Sequence, residues 1–165
     1  MVKWGTQTCS SHKPMAIKII AFKERYADEM ADLYTEVYSE PGAQWNKKTS
    51  KKYLERDYKQ HPDYCYVAVD DSGKCVGAIF CAVGPYCTGD LLFIDSIQVK
   101  ESHRNEGIGK TLLKKVIEKA RKNGISGVHL LADQRKEFPK KWYEEIGLID
   151  TGWAEYAADI KSVKL

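Results

Sequence analysis

The spacing of apolar positions changes repeatedly along the chain, and each change marks an element. Residues 16–22 alternate weakly between apolar and polar, as an edge strand does. Met30, Leu33, Tyr34, Val37 and Tyr38 follow i, i+3, i+4, i+7, i+8 spacing, which predicts one apolar helix face. Pro41-Gly42 stops that helix, and Thr49 or Ser50 is placed to cap a second one running to Gln60. After His61-Pro62-Asp63, residues 64–69 read as a strand, Asp70-Asp71-Ser72-Gly73 as a hairpin-like turn and residues 75–83 as the returning strand. Gly84-Pro85 and Thr88-Gly89-Asp90 mark the next turn, and residues 91–99 form the central strand.

The period then becomes helical again. Ile108, Leu112, Leu113, Val116, Ile117 and Ala120 share one face of a helix that Asn123-Gly124 stops. Residues 128–132 predict a strand parallel to the central one, as a strand–helix–strand crossover requires. Pro139 stands early in a short helix that ends at Gly147, and residues 148–165 predict one or two antiparallel strands. The expected fold class is α+β, with a single mixed, mostly antiparallel sheet flanked by helices. Residues 1–14 are polar and irregular and Met15 is an alternative start, so we expect a flexible extension, 1–14, and one domain, 15–165.

The junction between central strand and helix holds Arg104-Asn105-Glu106-Gly107-Ile108-Gly109. Glycines at a helix start let the backbone approach a ligand closely. The first helical N–H groups have no partner within the helix and sit at the positive end of its dipole, so a phosphate binds there readily. Three phosphate turns fit in part. Gly109-Lys110-Thr111 supplies the end of a P-loop, but Arg104 stands where its first glycine belongs. Gly107 and Gly109 supply two glycines of a dinucleotide turn, but Leu112 replaces the third. The third pattern, R-x-x-G-x-G, is complete in Arg104, Gly107 and Gly109.

That pattern resembles the acyl-coenzyme A turn of the GNAT superfamily of acetyltransferases. Trp142-Tyr143-Glu144-Glu145-Ile146-Gly147-Leu148 is similar to the superfamily's second recurrent segment, and the element order is that of the GNAT fold. The resemblance covers residues 66–152 clearly. It implies an N-acetyltransferase that moves the acetyl group of acetyl-CoA to a primary amine. The acceptor expected is a small molecule of polyamine or aminoglycoside type; the alternatives are a protein or peptide amine, or a GNAT-like module that binds acyl-CoA without turnover. By the resemblance, the amides of Asn105, Glu106, Gly107, Ile108, Gly109 and Lys110 hold the pyrophosphate. Ile97, Gln98 and Val99 pair with the pantetheine arm like an added strand, and the Val99 amide polarises the thioester carbonyl. Arg104 contacts a phosphate or anchors the turn. Asp133 lies beside the cofactor arm, and Tyr143 is the general acid. Glu106 departs from the pattern, because it puts a negative charge near the pyrophosphate.

The amine needs a base, since only its neutral form attacks. Asp95 is the acidic residue inside the apolar run 91–99, where a carboxylate costs stability unless paired or useful. It is the candidate base, with a satisfied structural aspartate as the other reading. The regions where the resemblance places the acceptor hold Tyr34, Tyr38, Trp45, Tyr53, Trp153 and Tyr156, with Glu36, Glu40 and Glu155. Aromatic rings with carboxylates suit a cationic amine; they equally suit an ordinary amphipathic helix.

Composition narrows the picture further. A chain of 165 residues with 43% apolar and 30% charged residues fits one globular domain. A net charge of +3 argues against a nucleic-acid partner. No apolar run reaches the ~20 residues of a membrane span, and no signal core opens the chain. Five cysteines without a C-x-x-C read as reduced thiols, so the expected location is cytoplasmic. The histidines lack metal-ligand spacing, and no metal site is expected. The expected partners are the small amine and, in a homodimer, a second copy of the chain.

Overall fold

A computed structural model describes residues 16–153, 157 and 160–162. The chain divides into two compact units, Met1–Leu130 and Leu131–Leu165. The first holds β1 (Lys18–Ala21), α1 (Ala27–Tyr38), α2 (Lys47–Gln60), β2 (Cys65–Val69), β3 (Cys75–Tyr86), β4 (Gly89–Val99), α3 (Ile108–Lys122) and β5 (Gly127–Leu130). The second holds α4 (Glu137–Glu145) and a single 3-10 turn at Ile160–Ser162.

The five strands form one sheet in the order β1-β2-β3-β4-β5. The first four are antiparallel neighbours, and β5 joins β4 in parallel. This is the mixed, mostly antiparallel sheet that the patterning predicts. β3 runs on to Tyr86, so Gly84-Pro85 lie inside the strand and the turn is tighter than expected. α2 starts earlier than Thr49: the Asn46 side chain accepts from Thr49 N–H at 3.1 Å, and Thr49 Oγ1 accepts from Asn46 N–H at 3.2 Å. This reciprocal cap satisfies two orphan donors, and it frees Ser50 to bond Thr35 Oγ1 at 2.8 Å between the helices. No strand follows β5 among the described residues; residues 148–153, expected to begin one, carry no regular structure. Residues 1–14, Glu155 and Tyr156 lie outside the described residues.

The helices of the first unit cover opposite faces of the sheet. Phe22, Met30, Tyr34 and Leu54 cluster with Cys65, Val67, Ala78 and Phe80, which places α1 and α2 on the face that Phe80 presents. A Cβ on Gly77, the next face over, would stand 3.2 Å from Ile108 and 3.4 Å from Leu112, so α3 packs there against bare backbone. No helix among the described residues is long and apolar enough to cross a membrane.

Candidate active site

The site begins at an irregularity in β4. Phe80 pairs with Ser96 and Cys81 with Ile94, which leaves Asp95 as the extra residue of a β-bulge. Bulges re-aim side chains, and here both Asp95 and Ser96 come to the face beneath α1 and α2. Asp95 Oδ1 accepts from Arg56 Nη2 at 2.8 Å and from Tyr53 Oη at 3.3 Å, both on α2. The carboxylate is therefore paired, yet its side chain keeps 11% exposure.

The bulge also marks where β4 loses a neighbour. β5 pairs only with Leu91–Ile94, and no described strand flanks β4 beyond that point on the β5 side. Lys100 N–H donates to Val76 O at 2.8 Å, so alternation turns the N–H and C=O of Val99 and Ile97 away from β3. One hydroxyl occupies part of this open edge: Tyr38 Oη accepts from Ile97 N–H at 3.1 Å and donates to Ile97 O at 3.0 Å. An edge of this kind is a template for an extended ligand. Gln98, grouped with Ile97 and Val99 by the sequence, differs from them. It is 2% exposed, and its backbone groups point towards β3 and belong to that ladder. The backbone turned away from β3 is thus that of Ile97 and Val99.

β4 leads directly into the glycine turn. Asn105 adopts φ 65° and Gly107 φ 77°, so the turn uses two left-handed residues, the second where glycine is needed. Thr111 N–H makes the first helical bond, to Gly107 O at 3.0 Å. The amides of Ile108, Gly109 and Lys110 precede it and start α3 without intrahelical partners. A Cβ on Gly109 would meet only Val99 Cγ2, at 3.8 Å, so the turn leaves open space before the helix. Arg104 Nε lies 3.4 Å from Val99 O, a weak tether of the turn to the strand end. Glu106 is exposed.

Above Asp95, Tyr34 and Tyr38 stack at 4.5 Å, and Trp45 and Tyr53 close around Tyr34 at 5.0 and 5.4 Å. Burial raises the Tyr34 hydroxyl well above its ordinary value. Arg56 lies over the Tyr53 ring at 4.5 Å. Of the aromatic residues named from the sequence, Tyr34, Tyr38, Trp45 and Tyr53 converge; they pack ring to ring, and the cation over them, Arg56, is the chain's own. Sequence reasoning missed Arg56 and Asp57. Their signal was the spacing Tyr53, Arg56, Asp57, which puts all three on the inward side of α2.

The second unit carries the other two candidates. Tyr143 stands on α4, half-buried, and burial pushes its hydroxyl up to about 12. Its ring lies 5.0 Å from Trp142. Asp133 bonds Arg135 through both carboxylate oxygens, at 2.8 and 2.9 Å, and Arg135 holds it well below the usual carboxylate range. Trp153 is 87% exposed.

A strand with an open edge, a glycine turn and a helix N-terminus thus follow one another in the chain. Residues 27–147 match the model of the Acetyltransferase (GNAT) family, and the chain belongs to that family. No curated protein sequence matches it. Solved structures share the fold. Aminoglycoside N-acetyltransferase AAC(6')-Iy in complex with CoA is similar at TM-score 0.72 and 16% identity, over 90% of this chain and 98% of that one. The NatC complex bound to Gag peptide and CoA gives 0.69 and 24%, over 82% and 86%. A transcriptional regulator from Bacillus halodurans C-125 gives 0.71 and 18%, over 87% and 100%.

Proposed function

We propose that the chain moves the acetyl group of acetyl-CoA to a primary amine of a small molecule. The observation that carries this is the half-open β4: it offers the outward N–H of Val99 and a carboxylate at Asp95 within one short stretch, beside a helix start suited to phosphates. Solved structures of this fold that hold CoA include an aminoglycoside acetyltransferase and the NatC complex with a peptide, and Arabidopsis thaliana Naa50 holds a bisubstrate analogue of CoA joined to a peptide.

In this reading the amides of Ile108, Gly109 and Lys110 take the pyrophosphate, and Ile97 and Val99 pair with the pantetheine arm. The outward amide of Val99 donates to the thioester oxygen and steadies the charge that develops there. Asp95 takes a proton from the ammonium, directly or through one water, so that the nitrogen lone pair can attack. The C–N bond forms, the nitrogen of the adduct gives up its second proton to water, the C–S bond breaks and a thiolate leaves. Tyr143, whose hydroxyl keeps its proton at neutral pH, supplies the proton for that thiolate; this role rests on its place in the recurrent segment. The preference for a small amine rests on the aromatic group around Tyr34 and on the Asp95 carboxylate.

The test is release of free thiol from acetyl-CoA with a panel of polyamines, aminoglycosides, amino acids and peptides. Turnover with one of the small amines is expected. CoA binding without thiol release for any acceptor would make the chain a binding module. Turnover of peptides alone would move the acceptor to a polypeptide N-terminus.

A further inference from the structure

One buried carboxylate has no part in the reaction so far. Asp57, on α2, is 1% exposed, and its Oδ2 meets no donor. Burial pushes its carboxyl up, Arg56 opposes the rise, and the neighbouring Asp95 adds to it. A lone buried carboxylate is costly, and it persists only where something nearby needs it or offsets it.

Arg56 connects Asp57 to the site. Its Nε donates to Asp57 Oδ1 at 2.9 Å and its Nη2 to Asp95 Oδ1 at 2.8 Å. Its guanidinium also lies over the Tyr53 ring, 4.5 Å from its centroid. The side chain is 48% exposed, so it is free to leave for water, yet three contacts hold it across the two acids. The other groups that feel Asp95 are Tyr34 from α1 and the thiols of Cys65 and Cys81 from β2 and β3, none of them cationic. Tyr53 and Arg56 both approach Asp95 through Oδ1. Among the described residues no donor reaches Oδ2, and the Asp95 side chain keeps 11% exposure.

We propose that Arg56 and Asp57 are positioning residues for Asp95. Asp57, fixed inside the helix–sheet packing, anchors one end of the guanidinium. Arg56 carries that anchor across to Asp95 and pins its Oδ1. The carboxylate then cannot rotate away, and Oδ2 stays presented to the amine. The inference rests on the amine acetylation proposed above, with Asp95 as proton acceptor.

The experiment compares thiol release at saturating acetyl-CoA for the parent, Arg56→Gln, Asp95→Asn and the double variant, using the small amine that the parent turns over fastest. Arg56→Gln should lower kcat about tenfold or more, because a misplaced base loses its attack geometry. Its affinity for CoA should stay unchanged. The double variant should be no slower than Asp95→Asn alone, since Arg56 acts only through Asp95. Asp57→Asn should repeat the Arg56→Gln loss; melting checks its fold, and the half-exposed Arg56 carries the test if that variant unfolds. Arg56→Gln at the parental rate overturns the proposal, and so do losses that multiply in the double variant. A parent that binds CoA but releases no thiol with any amine removes the acetylation reading and this inference with it. Parent turnover with multiplying losses removes this inference alone.

Discussion

The two sides of β4 are built from different material. In the proposed site the groups on the side of the glycine turn are main-chain: the Val99 and Ile97 amides and carbonyls, then the amides that start α3. On the side of α1 and α2 they are side chains: Tyr34, Tyr38, Tyr53, Arg56 and Asp95, with Asp57 buried behind Arg56. Main-chain groups are placed by local geometry, by a strand end and one left-handed glycine. Side chains are placed by packing between elements far apart in sequence, such as Tyr53 and Asp95, separated by 42 residues. The first kind of site is robust to side-chain change and fits a donor of constant structure. The second fails or changes when one contact is lost, and fits the task of choosing an acceptor.

Asp95→Asn tests the side-chain half most severely. The carboxamide keeps the shape but cannot take the proton, and removal of a general base costs about 10² to 10⁴ in rate. The loss in kcat/KM should be greatest at low pH and partly recovered as pH rises, because more amine then arrives neutral. A variant with the parental pH–rate profile makes Asp95 a structural partner of Arg56.

The main-chain half has its own break point, at Gly109. The backbone there is helical and a Cβ meets only Val99 Cγ2, at 3.8 Å, so Gly109→Val keeps the fold and fills the space before the amides. CoA affinity measured by calorimetry should fall about tenfold to a hundredfold. Gly107→Ala separates folding from binding: the left-handed φ of 77° costs an alanine about 1 kcal/mol, and melting should report it. Equal CoA affinity in Gly109→Val and parent would place the pyrophosphate elsewhere.

Alkali should loosen the side-chain half. Burial pushes the thiols of Cys65 and Cys75, in the core under α1 and α2, up to about 12 from 9.0. Their folded values lie above the unfolded ones, so the unfolded chain gives up these protons first. The stability they contribute is complete below about pH 9 and is lost as pH rises towards 12. The melting midpoint should fall between about pH 8 and about pH 10.5, while the exposed Cys87 thiol reacts with a thiol reagent throughout. A flat midpoint over that range would show that the two thiols titrate normally.

The same division explains what could be read from the sequence. The turn, its helix and the order of strands were legible, because glycine, periodicity and the crossover rule act locally. The bulge at Asp95 was not, since it appears only when β3 is paired against β4. Nor was the Asn46–Thr49 cap, whose two lysines hide the helix start in a polar stretch. Asp95 was found as an acid in an apolar strand. The spacing of Arg56 and Asp57 puts them on the side of α2 that Tyr53 occupies, but not against Asp95, because only folding brings α2 over the bulge.

Tyr38 is where the two halves meet, and it gives the finest test. Its hydroxyl, a side chain of α1, occupies both backbone groups of Ile97 on the edge where we propose that the donor pairs. A pantetheine arm that pairs with Ile97 must displace it and give up those bonds. A hydrogen bond of this kind contributes about 1 kcal/mol net, so its prior removal should help the ligand by about fivefold. Tyr38→Phe keeps the stack on Tyr34 and removes only the hydroxyl. The expected outcome is therefore tighter CoA binding, an unusual sign for a site variant. Unchanged affinity would mean that the arm pairs with Val99 alone and that Tyr38 stays on Ile97 with the ligand in place. Weaker binding would mean that the hydroxyl turns to the ligand and belongs to the donor site itself.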